Sequence, residues 1–246
     1  MKNNTELNKA RAIYYNVFAS FFVITNDTTK YFHLLGLLDT LSKTAIDEES
    51  QKSFQNIVNK LDKSSNYTLM EEFDDIFHNP QTKNIRTTAS FYDEAVESGK
   101  KRVQMLEFIA KTTIRRDESK YHEYEDSIGF IFAFLSELIE LVNNGHKEYE
   151  NTAHCVFEQV LNEFIDEFAK NVYEHPNADI YKNLMIALHS FIEFERLYLE
   201  VSKPQPKEKL EKKENISDEE KQRREKNKAL KALGPKQSCS DGSCGA

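Results

Sequence analysis

The sequence predicts an all-α fold, a single helical domain over residues 1–202 followed by a charged, flexible tail over 203–246, and three observations carry that prediction. Glycine is scarce, 7 in 246 residues, and no run alternates apolar and polar residues between paired turns as strands do. The 17 Phe and 11 Tyr recur three and four positions apart, the spacing that lines one face of a helix. That rhythm makes most of them core residues rather than cofactor contacts. After Ser202 come Pro204, Pro206 and a charge run almost without apolar residues, which cannot bury enough surface to offset the entropy of ordering.

Within the domain, Leu7, Ala10, Tyr14, Val17, Phe18, Phe21 and Phe22 define a first helix with one buried face. A second is expected over Lys30–Leu41 and a third over Glu48–Lys60, ended by Ser64-Ser65-Asn66. A fourth covers Tyr67–Phe77 and stops before Asn79-Pro80, because the residue ahead of a proline is pushed out of the α region. Ser90 reads as the N-cap of the next helix, with Asp93 and Glu94 in its first turn, and that helix should run unbroken through Val103, Leu106 and Ile109. Thr112–Lys120 is a polar loop. Helix resumes over Glu125–Val142 and closes at Asn143-Asn144-Gly145. His154, Phe157, Leu161, Phe164 and Phe168 mark another amphipathic helix, Pro176-Asn177 a break, and Leu184, Leu188, Phe191, Ile192 and Leu199 the last one. In the tail, Ser217 and Glu220 fit a capping box for a solvated helix reaching Leu233.

Net charge is −8, unevenly placed: residues 203–246 hold 12 Lys/Arg against 8 Asp/Glu, which leaves 21 against 33, or −12, for the rest. An acidic body repels nucleic acid and anionic membranes and attracts basic peptides. The N-terminus has no apolar h-region, and the apolar run Ile128–Leu135 is about half the length needed to span a bilayer, so a soluble cytoplasmic protein without membrane insertion is expected. Three cysteines are too few for a disulfide framework.

The sequence argues against an enzyme. It has no Gly-rich phosphate cradle, no G-x-S-x-G elbow and no H-E-x-x-H zinc helix. No histidine has a glutamate three residues before it, as helical di-iron sites require, and Asp75-x-x-His78 is a single, terminal approximation. Cys155 reads as a small core residue. Cys239 and Cys244 form a C-x4-C pair in the tail, two thiols where a closed zinc site needs four ligands; they read as inert, with contact to a partner's metal centre the alternative.

Glu123, Glu125 and Asp126 form the acidic cluster with most to offer. Placed before a long apolar helix, the carboxylates would either compensate its dipole or receive guanidinium groups in bidentate geometry, and periodicity does not choose between the two. Glu97 and Glu140 read as ordinary surface charges. The loops Asn79–Thr88 and Thr112–His122 should converge near Glu125 and Asp126.

Across nearly all of residues 8–200 the chain resembles the TorD/DmsD/NarJ family of redox-enzyme maturation chaperones. ARAIYYNVFASFF at 10–22 matches the family's Arg-x-x-x-Tyr helix. Phe73, Phe77, Pro80, Ser90 and Tyr92 match its aromatic, proline-loop and Ser-x-Tyr element. YEDSIGFIFAFL matches the acidic element before an apolar helix, with Asp126 in place but Ser127 where the family usually has histidine. The resemblance implies a cytoplasmic chaperone, without a cofactor of its own, that binds the basic twin-arginine signal peptide or N-terminal segment of the apo-form of a molybdenum or tungsten oxidoreductase, formate dehydrogenase being one candidate client. Its implied peptide site comprises Phe77, Pro80, Ser90, Phe91, Tyr92, Glu123, Glu125, Asp126 and Ser127. It leaves monomer or homodimer open. The competing reading is a helical adaptor without peptide affinity, with a helical metal or redox enzyme third.

Overall fold

The computed structural model describes residues 5–24, 27–119, 121–205 and 223, and among them the regular elements are helices. By internal contacts the chain divides into Met1–Pro204 and Gln205–Ala246, and nearly all the described residues belong to the first unit. The expected tail helix over 217–233 and the pair Cys239 and Cys244 lie outside the described residues. No helix among those described is long and apolar enough to cross a membrane.

The helices run α1 Thr5–Phe22, α2 Thr28–Thr44, α3 Glu48–Lys60, α4 Tyr67–Phe77, α5 Ala89–Glu94, α6 Lys100–Ala110, α7 Ile128–Asn143, α8 Glu150–Val156, α9 Asn162–Tyr173 and α10 Ile180–Leu199. A π-helical turn, Phe157–Leu161, joins α8 to α9 without interrupting the rod. Central to the fold is α1 packed along α7, with α10 crossing α3 and α9, and α2 resting on α3. Phe18, Phe132 and Phe191 meet at 5.5–5.6 Å between centroids around Phe18, and Phe22, Phe77, Phe168 and Tyr181 form a second aromatic group. Cys155 packs half-buried against the core, as its helical position predicts.

One expected helix is two. The stretch from Ser90 to Ile109 breaks after Glu94, where Ala95 takes a left-handed conformation with φ 56° and closes α5 by donating its N–H to the Phe91 carbonyl. The chain turns through Ser98, φ 59°, and α6 restarts at Lys100, whose N–H donates to the Glu94 carboxylate at 2.8 Å. A Cβ at Gly99 would sit 2.4 Å from Glu94 Oε2, so a side chain there would push the Glu94 carboxylate off the Lys100 N–H. Ser90 is correspondingly not the cap. Thr88 occupies that position and Ser90 lies fully buried in the first turn.

Two helices start on carboxylates supplied from elsewhere in the chain. Asp126 accepts the Ser90 N–H at 2.9 Å at the head of α5. Glu72, on α4, accepts from the N–H groups of Asp179, Ile180 and Tyr181 at 2.8–2.9 Å and so caps α10. The first and last helices are locked by an ion pair: Arg11 Nε and Nη2 donate to Glu195 at 2.6 and 2.7 Å, and the Tyr15 hydroxyl donates to the same carboxylate at 2.8 Å. Arg11 and Tyr15 are one turn apart, so the Arg-x-x-x-Tyr spacing serves this buried anchor.

Candidate functional site: an acid-lined groove beside the α7 helix

The loop before α5 and the loop before α7 do come together. Thr88 and Ser127 form an antiparallel bridge, with Ala89 N–H donating to the Asp126 carbonyl and Ile128 N–H to the Thr87 carbonyl, each at 2.8 Å. Asp126 is fully buried there. One of its carboxylate oxygens holds Ser90, and the other is buried without a hydrogen-bond partner. Ser127 caps α7 and pairs with the Tyr121 hydroxyl at 2.5 Å.

Glu125 is almost as buried, and two of the protein's own arginines hold it: Arg102 Nε lies 2.8 Å from one carboxylate oxygen and Arg116 Nε 3.0 Å from the other. Burial alone would raise its pKa; the Arg102 guanidinium, a hydrogen bond from its own backbone N–H and the Arg116 charge together outweigh that and hold it below the ordinary carboxylate value. Arg102 also stacks on Tyr124 at 4.3 Å, and Arg116 donates to the Glu123 carbonyl at 2.5 Å. This Arg102–Glu125–Arg116 clamp ties the loop 112–123 to α6. Of the two roles the sequence left open for Glu125, a guanidinium contact is present, and both guanidiniums come from within the chain.

Glu123 stands differently. It is half-buried, its carboxylate 3.5 Å from the Tyr121 hydroxyl, and no arginine or lysine among the described residues pairs with it. Burial pushes its pKa up, only partly offset by Ser127, His78, Tyr121 and Thr87. It opens onto a groove of about 1240 Å³ between the C-terminal ends of α1 and α4, the loop 113–123 and α7, where Ile24, Ile114, Tyr121, Phe130 and Ala133 give apolar surface.

The other predicted residues lie around, and not in, this groove. Phe77 is buried against Phe22, Phe73, Phe168 and Tyr181, so it is core and presents no wall. Pro80 is exposed in a turn folded back on the end of α4. Phe91 is half-buried beneath Arg86, whose guanidinium lies 5.9 Å from the ring, and the Tyr92 hydroxyl donates to the Arg86 carbonyl at 3.0 Å. Burial pushes the Tyr92 hydroxyl well above the ordinary tyrosine value. Glu97 and Glu140 are both exposed, as surface charges are; Glu97 also accepts the Thr88 hydroxyl at 2.6 Å, and Glu140 lines a second hollow beside α7.

Sequence reasoning missed Arg102, Arg116, Tyr121 and Glu137, the last of which faces the groove from α7. A signal existed for the arginines. A carboxylate buried before an apolar helix favours a cationic partner, and Arg115-Arg116 lies ten residues upstream in a loop read as polar and charged but given no partner. Elsewhere, Asp166, His189 and Glu193 bring ligand atoms within 4.8 Å of one another, but Arg196 already bonds both acids at 2.9 and 2.5 Å, which balances their charge without a metal.

A family model described as nitrate reductase delta subunit matches residues 43–170, just over half of the chain. No curated protein matches. Among solved structures, the chain is similar to a crystal structure from Archaeoglobus fulgidus of a proposed redox enzyme maturation protein, at 18% identity and a TM-score of 0.48, covering 77% of this chain and 94% of that one.

Proposed function

The chain belongs to the nitrate reductase delta subunit family, the NarJ/TorD type of redox-enzyme maturation chaperone, and from that membership we propose that it binds the basic N-terminal segment of the apo-form of a molybdenum or tungsten oxidoreductase subunit. The observation that carries this reading is Glu123: a half-buried carboxylate paired with no arginine or lysine among the described residues, set against apolar surface. Such a carboxylate is poorly solvated, and an incoming guanidinium regains for it the interaction that water no longer supplies. The apolar surface beside it suits the hydrophobic stretch that follows the basic residues of a twin-arginine signal peptide. A formate dehydrogenase is one client that fits this description.

The interaction holds the client subunit in the cytoplasm while its cofactors are inserted, and it needs no chemistry from the chaperone. Glu125 and Asp126 support the site indirectly, as the clamp and cap that fix the two loops. The test is calorimetry with a synthetic client N-terminal peptide. Glu123→Gln is expected to weaken binding roughly 10- to 100-fold, the worth of about 1.5–3 kcal/mol for a charge-assisted hydrogen bond. Affinity should fall as salt rises. Affinity should also fall on acidification, from a higher pH than an ordinary carboxylate would give, because the Glu123 pKa is raised. A peptide that binds wild type and Glu123→Gln equally would sink this reading.

A further inference from the structure

The groove beside Glu123 has a neighbour across the same stretch of α7. A second hollow of about 560 Å³, between α1, α2 and α7, shares Val23, Ile24, Lys30, Ala133 and Glu137 with it, so the two are lobes of one channel running along α7. Every third or fourth residue of α7 faces this channel: Ala133, Glu137 and Glu140 are exposed in succession, while Phe132, Leu135, Leu138 and Ile139 point into the core. A helix embedded in the domain thus turns one small residue and two carboxylates to solvent along a continuous trough.

The acids stand at both ends of the apolar stretch. The Tyr121 ring, whose hydroxyl neighbours Glu123, lies 6.0 Å from the Phe130 ring, so Glu123 marks the Phe130 end. Glu137 and Glu140 lie two and three turns further on. Ten residues of helix separate Phe130 from Glu140, about 15 Å, which an extended peptide covers in roughly five residues. Resting on the proposed peptide-binding function, we infer that the channel is a two-ended site whose occupant is an extended segment with basic groups on both sides of an apolar run of about five residues, one end on Glu123 and the other on Glu137 and Glu140. Charge complementarity selects this occupant. Arg115 and Arg116 also line the groove, but Arg115 donates to the Ile109, Thr112 and Ile114 carbonyls and Arg116 is held by Glu118 and Glu125, so Lys30 of α2, exposed on the wall the two hollows share, is the cation that opposes an incoming basic residue.

The experiment titrates two synthetic peptides into the full chain: one with arginines at a single end of an apolar run, one with arginines at both ends five residues apart. The two-ended peptide is expected to bind wild type more tightly. Glu137→Gln/Glu140→Gln should lower its affinity roughly 3- to 30-fold, as two partly exposed ion pairs warrant, and leave the one-ended peptide unchanged. Lys30→Gln should strengthen the two-ended peptide alone. Both substitutions are at exposed positions, and melting curves verify that the variants fold. Equal affinity of wild type for the two peptides, with no response to either variant, overturns the two-ended site while leaving the Glu123 reading intact. Failure of wild type to bind either peptide overturns both. Dimerisation of wild type that either peptide abolishes would put a second copy on the channel and likewise overturn the inference.

Discussion

Replacing Glu125 with glutamine separates what this carboxylate does for the fold from what it does for a ligand. Its side chain is 7% exposed, that of Arg116 14% and that of Arg102 26%, so the substitution strands one nearly buried guanidinium and one partly solvated one. Breaking a buried pair by removing one partner costs about 3–5 kcal/mol. Arg102 keeps water and its stack on Tyr124, which brings the expectation down to about 2–3 kcal/mol. For a unit of this size that lowers Tm by about 4–12 °C. The pH dependence has a definite sign. Glu125's folded pKa lies below its ordinary value of 4.5, so its stabilisation is present above that value and is lost as pH falls through the folded one. Thermal melts of wild type and Glu125→Gln should therefore differ most at neutral pH and converge in acid. An unchanged Tm at pH 7, or a gap that persists undiminished into acid, would refute the clamp.

Two further outcomes are expected. Glu72→Gln keeps one acceptor for the first turn of α10 but removes the charge that faces three N–H groups, costing about 1–2 kcal/mol, with a Tm difference that narrows as salt rises; a variant as stable as wild type at low salt would show that water caps α10 equally well. Gly129→Ala places a Cβ 2.9 Å from Val23 Cγ2 and 3.1 Å from Phe22 Cβ where α1 meets α7, so despite alanine's higher helix propensity it should destabilise by about 1–3 kcal/mol in denaturant titration; a gain in stability would mean that α1 shifts freely to make room.

The helices were legible because burial imposes a period on the sequence. The third and fourth were placed to the residue, and the aromatic rhythm marked the core correctly. What periodicity cannot see is a partner far away in sequence. Ser90 looked like an N-cap because Asp93 and Glu94 follow it, yet the oxygen that serves that helix comes from Asp126, thirty-six residues on. Glu94, read as a dipole partner inside one long helix, instead caps the next. Glu125 and Asp126 were singled out as a pair, but a single sequence does not reveal whether the guanidinium that meets a carboxylate comes from a ligand or, as for Glu125, from Arg102 and Arg116. Glu123, the least distinctive of the three acids by position, is the one whose surroundings leave it open.

The pair formed by Arg11 and Glu195 has a consequence for the protein's birth. The two residues are 184 positions apart. A ribosome adding about 5–20 residues per second needs roughly 10–40 s to deliver the glutamate after the arginine has been made. Throughout that interval Arg11 and Tyr15 lack the carboxylate that joins them, and although Phe77 and Phe132 reach Phe18 and Phe22 earlier, the Phe191 side of the cluster is missing. The core is therefore closed last by α10, the helix that brings both Glu195 and Phe191 onto α1.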